Sequence, residues 1–133
     1  MPAFAAAAAT TPLDLIVEAV ASEEGARAQA EAALTATTLA WINAQQKPVI
    51  SLEVPSGLDG DTGAVIDASM APIAPTWTAC FGFPKPGVAT PAAPVGTLVL
   101  LDIGLPANAM RALGVTYRTP FTDQYMVALT ASP

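Results

Sequence analysis

The sequence predicts an α/β fold built on a mainly parallel sheet. Three observations carry that expectation. Between Leu13 and Val54 a short apolar run, a long proline-free segment and a second apolar run follow one another, which is the order of a βαβ unit. Two more apolar runs, Thr76 to Phe81 and Thr97 to Asp102, flank the turn-rich stretch FGFPKPGVATPAAPVG. The 13 prolines in 133 residues exclude an all-helical bundle, because proline removes a helical donor and clashes with the preceding turn. About four parallel strands are expected.

Each element has its own justification. Leu13 to Val20 is almost continuously apolar, as a buried parallel strand is. Ser22 can cap a following helix whose first turn carries Glu23 and Glu24, at the end of the helix dipole that favours negative charge. From Glu23 to Gln46 alanine is dense, and Ala30, Leu34, Thr38, Trp41 and Ile42 fall on one helical face. Pro48 stops that helix, since a residue preceding proline disfavours the helical conformation. Val49 to Val54 is the second strand. Ala107 to Leu113 reads as a short helix, and Tyr125 to Leu129 as a short terminal element. Trp41 and Trp77 read as packing residues, and Cys80 as core.

Composition excludes several functions. Five basic residues against eleven acidic ones, a net charge of −6, cannot neutralise a run of phosphates, so no nucleic-acid partner is expected. The absence of histidine removes the serine triad and nearly every zinc or iron site. One cysteine cannot form an internal disulfide, which fits a reducing compartment and a soluble intracellular protein. No membrane span is expected. The uncharged stretch from Met1 to Leu13 is too short, and six prolines break the stretch from Ala68 to Leu101. The alanine-rich lead, residues 1–12, is expected to be disordered or helical.

In open parallel sheets ligands gather beyond the carboxyl ends of the strands. The first strand ends near Glu18 and leads to Ser22, Glu23 and Glu24. The second ends at Glu53 and leads into Pro55-Ser56-Gly57-Leu58-Asp59-Gly60-Asp61-Thr62-Gly63, and the third into a loop carrying Lys85. Parallel strands put all three loops on one sheet edge. The second loop reads either as a plain Asp-Gly and Thr-Gly turn or as a site whose hard oxygens, Glu53 and Ser56 among them, suit an alkali or alkaline-earth ion. Lys85, between two prolines, could touch a ligand phosphate or punctuate a rigid turn. Asp102 is expected to hydrogen-bond in the turn at Gly104.

The run from Val49 to Gly63 resembles the signature of the YjeF N-terminal domain family, the NAD(P)H-hydrate epimerases. So do Phe81-Gly82-Phe83-Pro84-Lys85-Pro86-Gly87 and Leu101-Asp102-Ile103-Gly104-Leu105-Pro106, in the same order, while Asp14 to Val20 is similar to the family's DLIVDAL strand. The resemblance covers residues 13–133 and implies a Rossmann-like three-layer sandwich lacking its N-terminal half. It implies an isomerase interconverting the R and S forms of hydrated NADH and NADPH, with a bound potassium ion. Carried over residue by residue, it makes Glu53 the acid/base and a substrate contact, and Glu18 and Ser56 the potassium ligands. Ser22, Glu23, Glu24 and Lys85 are then further substrate-binding positions.

The sequence departs from the family pattern at three places. Glu18 and Glu53 stand where the family has aspartates, one methylene shorter. Ser22-Glu23-Glu24 stands where the family has a glycine-threonine-glycine loop, and acids there oppose an anionic dinucleotide. The family's NNGGDG loop has no counterpart. Two alternatives follow: a catalytically inactive interaction or scaffold module, or a fragment of a longer gene product. Either way an apolar sheet edge and face are expected to be uncovered. That predicts a homo-oligomer, or a second chain supplying the missing layer.

Overall fold

The computed structural model describes residues 14–18 and 28–129. Along the chain these form strand β1 (Ile16–Glu18), helix α1 (Ala28–Ala44), strands β2 (Val49–Leu52), β3 (Trp77–Phe81) and β4 (Thr97–Leu101), helix α2 (Ala107–Ala112) and strand β5 (Met126–Ala128). The five strands form one sheet in the order β1-β2-β3-β4-β5. The first four are parallel, as expected, while β5 runs antiparallel to β4. The expected short element at Tyr125 to Leu129 is therefore an added antiparallel edge strand.

Helix α1 ends at Ala44, and Gln46 takes a left-handed φ of 52°. A left-handed residue just past the last turn reverses the chain, and Pro48 forbids any continuation. The buried face of α1 includes Ile42 as expected and adds Leu39, while the side chains of Ala30 and Leu34 lie outside the described residues. Leu39 is fully buried and Ile42 nearly so, while Thr38 and Trp41 are only half-buried. Among the described side chains the face is centred on two large aliphatic residues three apart, because these bury far more area than the alanine and threonine positions around them.

Register fixes the two faces of the sheet, since residues paired across neighbouring strands share a face. Ile16 and Glu18 stand beside Val49 and Ser51, Thr78 beside Ser51, and Cys80 beside Leu100. This face is covered. Leu39 and Ile42 pack on Val49 with Ile73, and half-buried Ile16 joins them. Further along, Leu58, Val88, Val95 and Phe121 from the loops close over Cys80, Leu98 and Leu100.

The opposite face carries Val17, Ile50, Leu52, Trp77, Val99 and Met126. Val17, Trp77 and Met126 are exposed by 59%, 38% and 56%. Among the described residues no element covers it. Helix α2 does not do so, for it has no buried residue. Parallel sheets are ordinarily covered on both faces. Among the described residues no helix is long and apolar enough to cross a membrane.

Candidate functional site

The carboxyl ends of β1, β2 and β3 lie along one sheet edge, and the expected residues meet there in two pairs. The first pair is Glu18 with Ser56. Glu18 points to the covered face and is 3% exposed. Its carboxyl group accepts hydrogen bonds from the Ser56 backbone N–H at 3.1 Å and the Ser56 hydroxyl at 2.7 Å. The last residue of one strand is thereby tied to the loop that follows its neighbour.

The second pair is Glu53 with Lys85, whose Nζ lies 3.3 Å from Oε2. Lys85 is half exposed, so the pair contributes at most about 1 kcal/mol. Its position is set by the backbone. Glu53 has a φ of 64°, and the N–H of Val54 donates to the carbonyl of Leu52 at 2.8 Å. This is a γ-turn of the rare hand that forces positive φ on its central residue. Strand β3 ends the same way, with Phe83 N–H donating to Phe81 O at 2.9 Å across Gly82, whose φ is 74°. Glycine occupies that conformation freely and glutamate does not. Glu53 is held there by four bonds. Its N–H donates to Ala79 O at 2.9 Å, and its carbonyl accepts the Cys80 thiol at 3.4 Å. Its Oε1 accepts the Phe81 N–H at 2.8 Å, and among the described residues its Oε2 meets only the charge of Lys85. Strain on a non-glycine residue at a sheet's ligand edge is a pointer to function.

The glycine-rich loop divides into two parts. Pro55 and Ser56 belong to the site. Asp59 to Gly63 is a turn in which Asp59 Oδ1 accepts from Asp61 N, Thr62 N and Thr62 Oγ1. Those bonds from Thr62 and Asp61 hold the Asp59 carboxyl below its usual range. The loop interlocks with the one bearing Lys85, for Gly87 N–H donates to Gly60 O at 2.8 Å. A Cβ at Gly87 would come within 2.3 Å of Gly63 N, so no side chain fits there. Two sequence motifs are thus one junction.

Asp102 behaves as expected, accepting from Gly104 N at 2.8 Å. Ser22, Glu23 and Glu24 lie outside the described residues. Lys85 pairs with Glu53. The γ-turn was not legible in the sequence, since nothing in Leu-Glu-Val-Pro announces a positive φ. Cys80 is fully buried, and burial, followed by the nearby Glu53 charge, pushes its thiol from 9.0 up to about 11. The native thiol is therefore expected to stay unmodified by a disulfide reagent at pH 8 and to react stoichiometrically once urea unfolds the chain. A native rate equal to the unfolded one would contradict this. The raised value favours the folded state below pH 9, and that contribution is lost as pH rises through about 11.

Comparison with known proteins bears on these pairs. Residues 2–87 match the family described as YjeF-related protein N-terminus. The chain belongs to that family. An NAD(P)H-hydrate epimerase from Dehalogenimonas lykanthroporepellens is 35% identical over 99 residues, covering 74% of this chain and 38% of the relative. A bifunctional NAD(P)H-hydrate repair enzyme from Salinibacter ruber is 37% identical over 68 residues, 50% of this chain and 12% of the relative. The enhancer of mRNA-decapping protein 3 of Homo sapiens is 26% identical over 120 residues, 90% of this chain and 21% of that protein. The chain thus spans well under half the length of each of these relatives. Both site pairs, between Glu18 and Lys85, lie within the matched residues.

Proposed function

We propose that this chain carries the reaction edge of an NAD(P)H-hydrate epimerase, acting on hydrated NADH and NADPH. The observation that supports this reading best is Glu53. Its carboxylate is held by a strained backbone and a peptide N–H at the ligand edge of the sheet, in a chain 35% identical to an enzyme of that name. Epimerising a hydroxylated ring carbon next to nitrogen needs a proton moved and a cationic intermediate stabilised. A positioned carboxylate does both. Glu53 Oε2 is the atom proposed to hold that proton, and Lys85 the cation that turns from Glu53 to a substrate phosphate. Ser22, Glu23 and Glu24 are proposed to line the dinucleotide.

Glu18 and Ser56 are the proposed potassium ligands. Both carry hard oxygen donors, which suit an alkali cation in kind, and they are already neighbours through the 2.7 Å hydrogen bond from the Ser56 hydroxyl to Glu18. Among the described residues no cluster of three acidic or sulfur ligands exists, so the remaining donors would be carbonyls or water. The ion, when bound, supplies positive charge beside an anionic ligand.

A second reading, a catalytically inactive interaction module, draws on the match to the decapping enhancer, which extends over 90% of the chain. One experiment separates the two. Pure R-form hydrated NADH is incubated with the chain, with and without potassium, and the S form is followed by chromatography. Exchange above the spontaneous rate, faster with potassium, is expected. A folded chain that leaves the R form at the spontaneous rate favours the interaction module.

A further inference from the structure

The ligand edge carries a feature that neither site pair uses. Phe83, on the loop that follows β3, and Tyr117, between α2 and β5, form an edge-to-face aromatic pair. Their ring centroids are 5.2 Å apart and their planes meet at 66°. Phe83 is 39% exposed, and neither ring belongs to the core of the covered face or lines the concavity of the open one. We propose that Phe83, braced by Tyr117, is the stacking platform for the adenine of the dinucleotide substrate. The ligand's identity rests on the epimerase reading, and the platform adds where its base is held.

Chemistry selects which ring of the substrate stacks. Hydration adds water across a double bond of the reduced nicotinamide and leaves further saturated carbons in it. That ring is not a flat π-system, so adenine is the aromatic ring the substrate has to offer. A base stacks on an aromatic side chain through its π-face. In an edge-to-face pair one ring's edge meets the other's face. Of the pair's four faces at most one is therefore used internally.

Position fits the reaction as well. Glu53 Oε1 accepts the N–H of Phe81, two residues before Phe83. Two residues span at most about 7 Å, which puts the carboxylate and the ring within reach of one bound dinucleotide. Lys85, the cation proposed for a substrate phosphate, follows Phe83 by two residues, and the exposed Arg118 follows Tyr117 directly. The chain has only five basic residues, and two of them stand beside these two rings in sequence. Aromatic faces with cations next to them suit a ligand that is flat at one end and phosphorylated beside it.

The platform is also rigid. Phe83 N–H closes the γ-turn on Phe81 O at 2.9 Å. Gly82 lies so close to Leu105 that a Cβ there would come within 2.6 Å of its Cδ1. Pro84 and Pro86 restrict the backbone that follows. A ring presented on a fixed loop loses little freedom when a base arrives.

Calorimetric titration of the full chain with AMP and with ribose 5-phosphate tests this without any catalytic step. The two probes share the sugar and the phosphate and differ only in the base. The wild-type chain is expected to bind AMP at millimolar concentration, at least ~10-fold more tightly than ribose 5-phosphate. Phe83→Ala should remove that advantage, weakening AMP by at least ~10-fold and moving ribose 5-phosphate by less than ~2-fold. Phe83→Trp keeps a π-face and should retain AMP. Phe83→Leu keeps apolar bulk without one, so it should lose AMP with an unchanged far-UV spectrum and urea midpoint. AMP that binds the wild type no better than ribose 5-phosphate overturns the proposal. So does AMP binding that survives Phe83→Ala or Phe83→Leu, since leucine would satisfy a mere packing role. A chain that binds AMP through Phe83 but leaves the R form unexchanged loses the epimerase reading and keeps the platform. One that exchanges R and S yet is indifferent at Phe83 does the reverse.

Discussion

Replacing Glu18 with alanine is expected to lower the stability of the chain by about 3–5 kcal/mol, in urea unfolding followed by far-UV circular dichroism. The carboxyl group is buried and accepts two bonds from one residue, the Ser56 N–H and the Ser56 hydroxyl. Alanine orphans both donors, each costing roughly 1–3 kcal/mol when it has no water to turn to. It also leaves the volume of one methylene and a carboxyl group unfilled. Ser56→Ala removes only the hydroxyl and should cost less. The double variant should cost less than the sum, with a coupling of about 1–2 kcal/mol. If Glu18→Ala costs under ~1 kcal/mol and adds to Ser56→Ala without coupling, the pair is not the tie between β1 and the β2 loop.

The same pair shows what the sequence could and could not reveal. The parallel direction of the first four strands was legible, because apolar runs separated by a helix or by long turn-rich segments permit little except parallel neighbours. That alone puts Glu18, Glu53 and Lys85 on one edge. The pairings within the edge are finer. Glu18 meets Ser56 because β1 ends level with Ser51, a register set by which apolar residues face α1. Glu53 meets Phe81 N–H because its backbone turns left-handed. That conformation comes from the tertiary bonds to Ala79 and Cys80 and is written in no local propensity. Leu39 was overlooked as the helix anchor for a related reason. In an alanine-dense helix many faces score alike, and the one that wins is the one the sheet needs filled. The fifth strand was legible only as an element; its antiparallel direction follows from the chain returning along β4 after α2.

The uncovered face and the closed face have opposite demands on sequence. On the closed side, Ser51 and Thr78 sit fully buried beneath the helix and loops, and Thr78 satisfies its hydroxyl on Val95 O at 2.7 Å. Polar groups are tolerated there because the surroundings supply partners. The open side carries aliphatic and aromatic residues on every strand, the composition of a surface meant to be dry. An apolar face of this kind is stable in water only when something lies on it. The ligand edge and the open face are therefore separate features of one sheet.

Glu53→Gln is expected to lower the R-to-S exchange rate by at least ~10²-fold while leaving stability within about 1 kcal/mol. The amide oxygen can still accept the Phe81 N–H, and the pair with half-exposed Lys85 contributes little. What disappears is the group able to take and return a proton. Two further substitutions separate this chemistry from the backbone. Glu53→Ala and Glu53→Gly both delete the carboxylate, so both should be as inactive as the glutamine variant. They differ in strain. Alanine keeps a Cβ at a φ of 64°, whereas glycine relaxes there, an advantage of about 1 kcal/mol that outlasts glycine's greater freedom when unfolded. Glu53→Gly should therefore be the more stable of the two, though it carries the residue that normally weakens a structure. That order would show that the γ-turn is held for the carboxylate's sake, since Gly82 makes the same turn on β3 without strain. If alanine proves as stable as glycine, the turn stores no strain. If the glutamine variant keeps wild-type exchange, Glu53 is not the proton-transfer group.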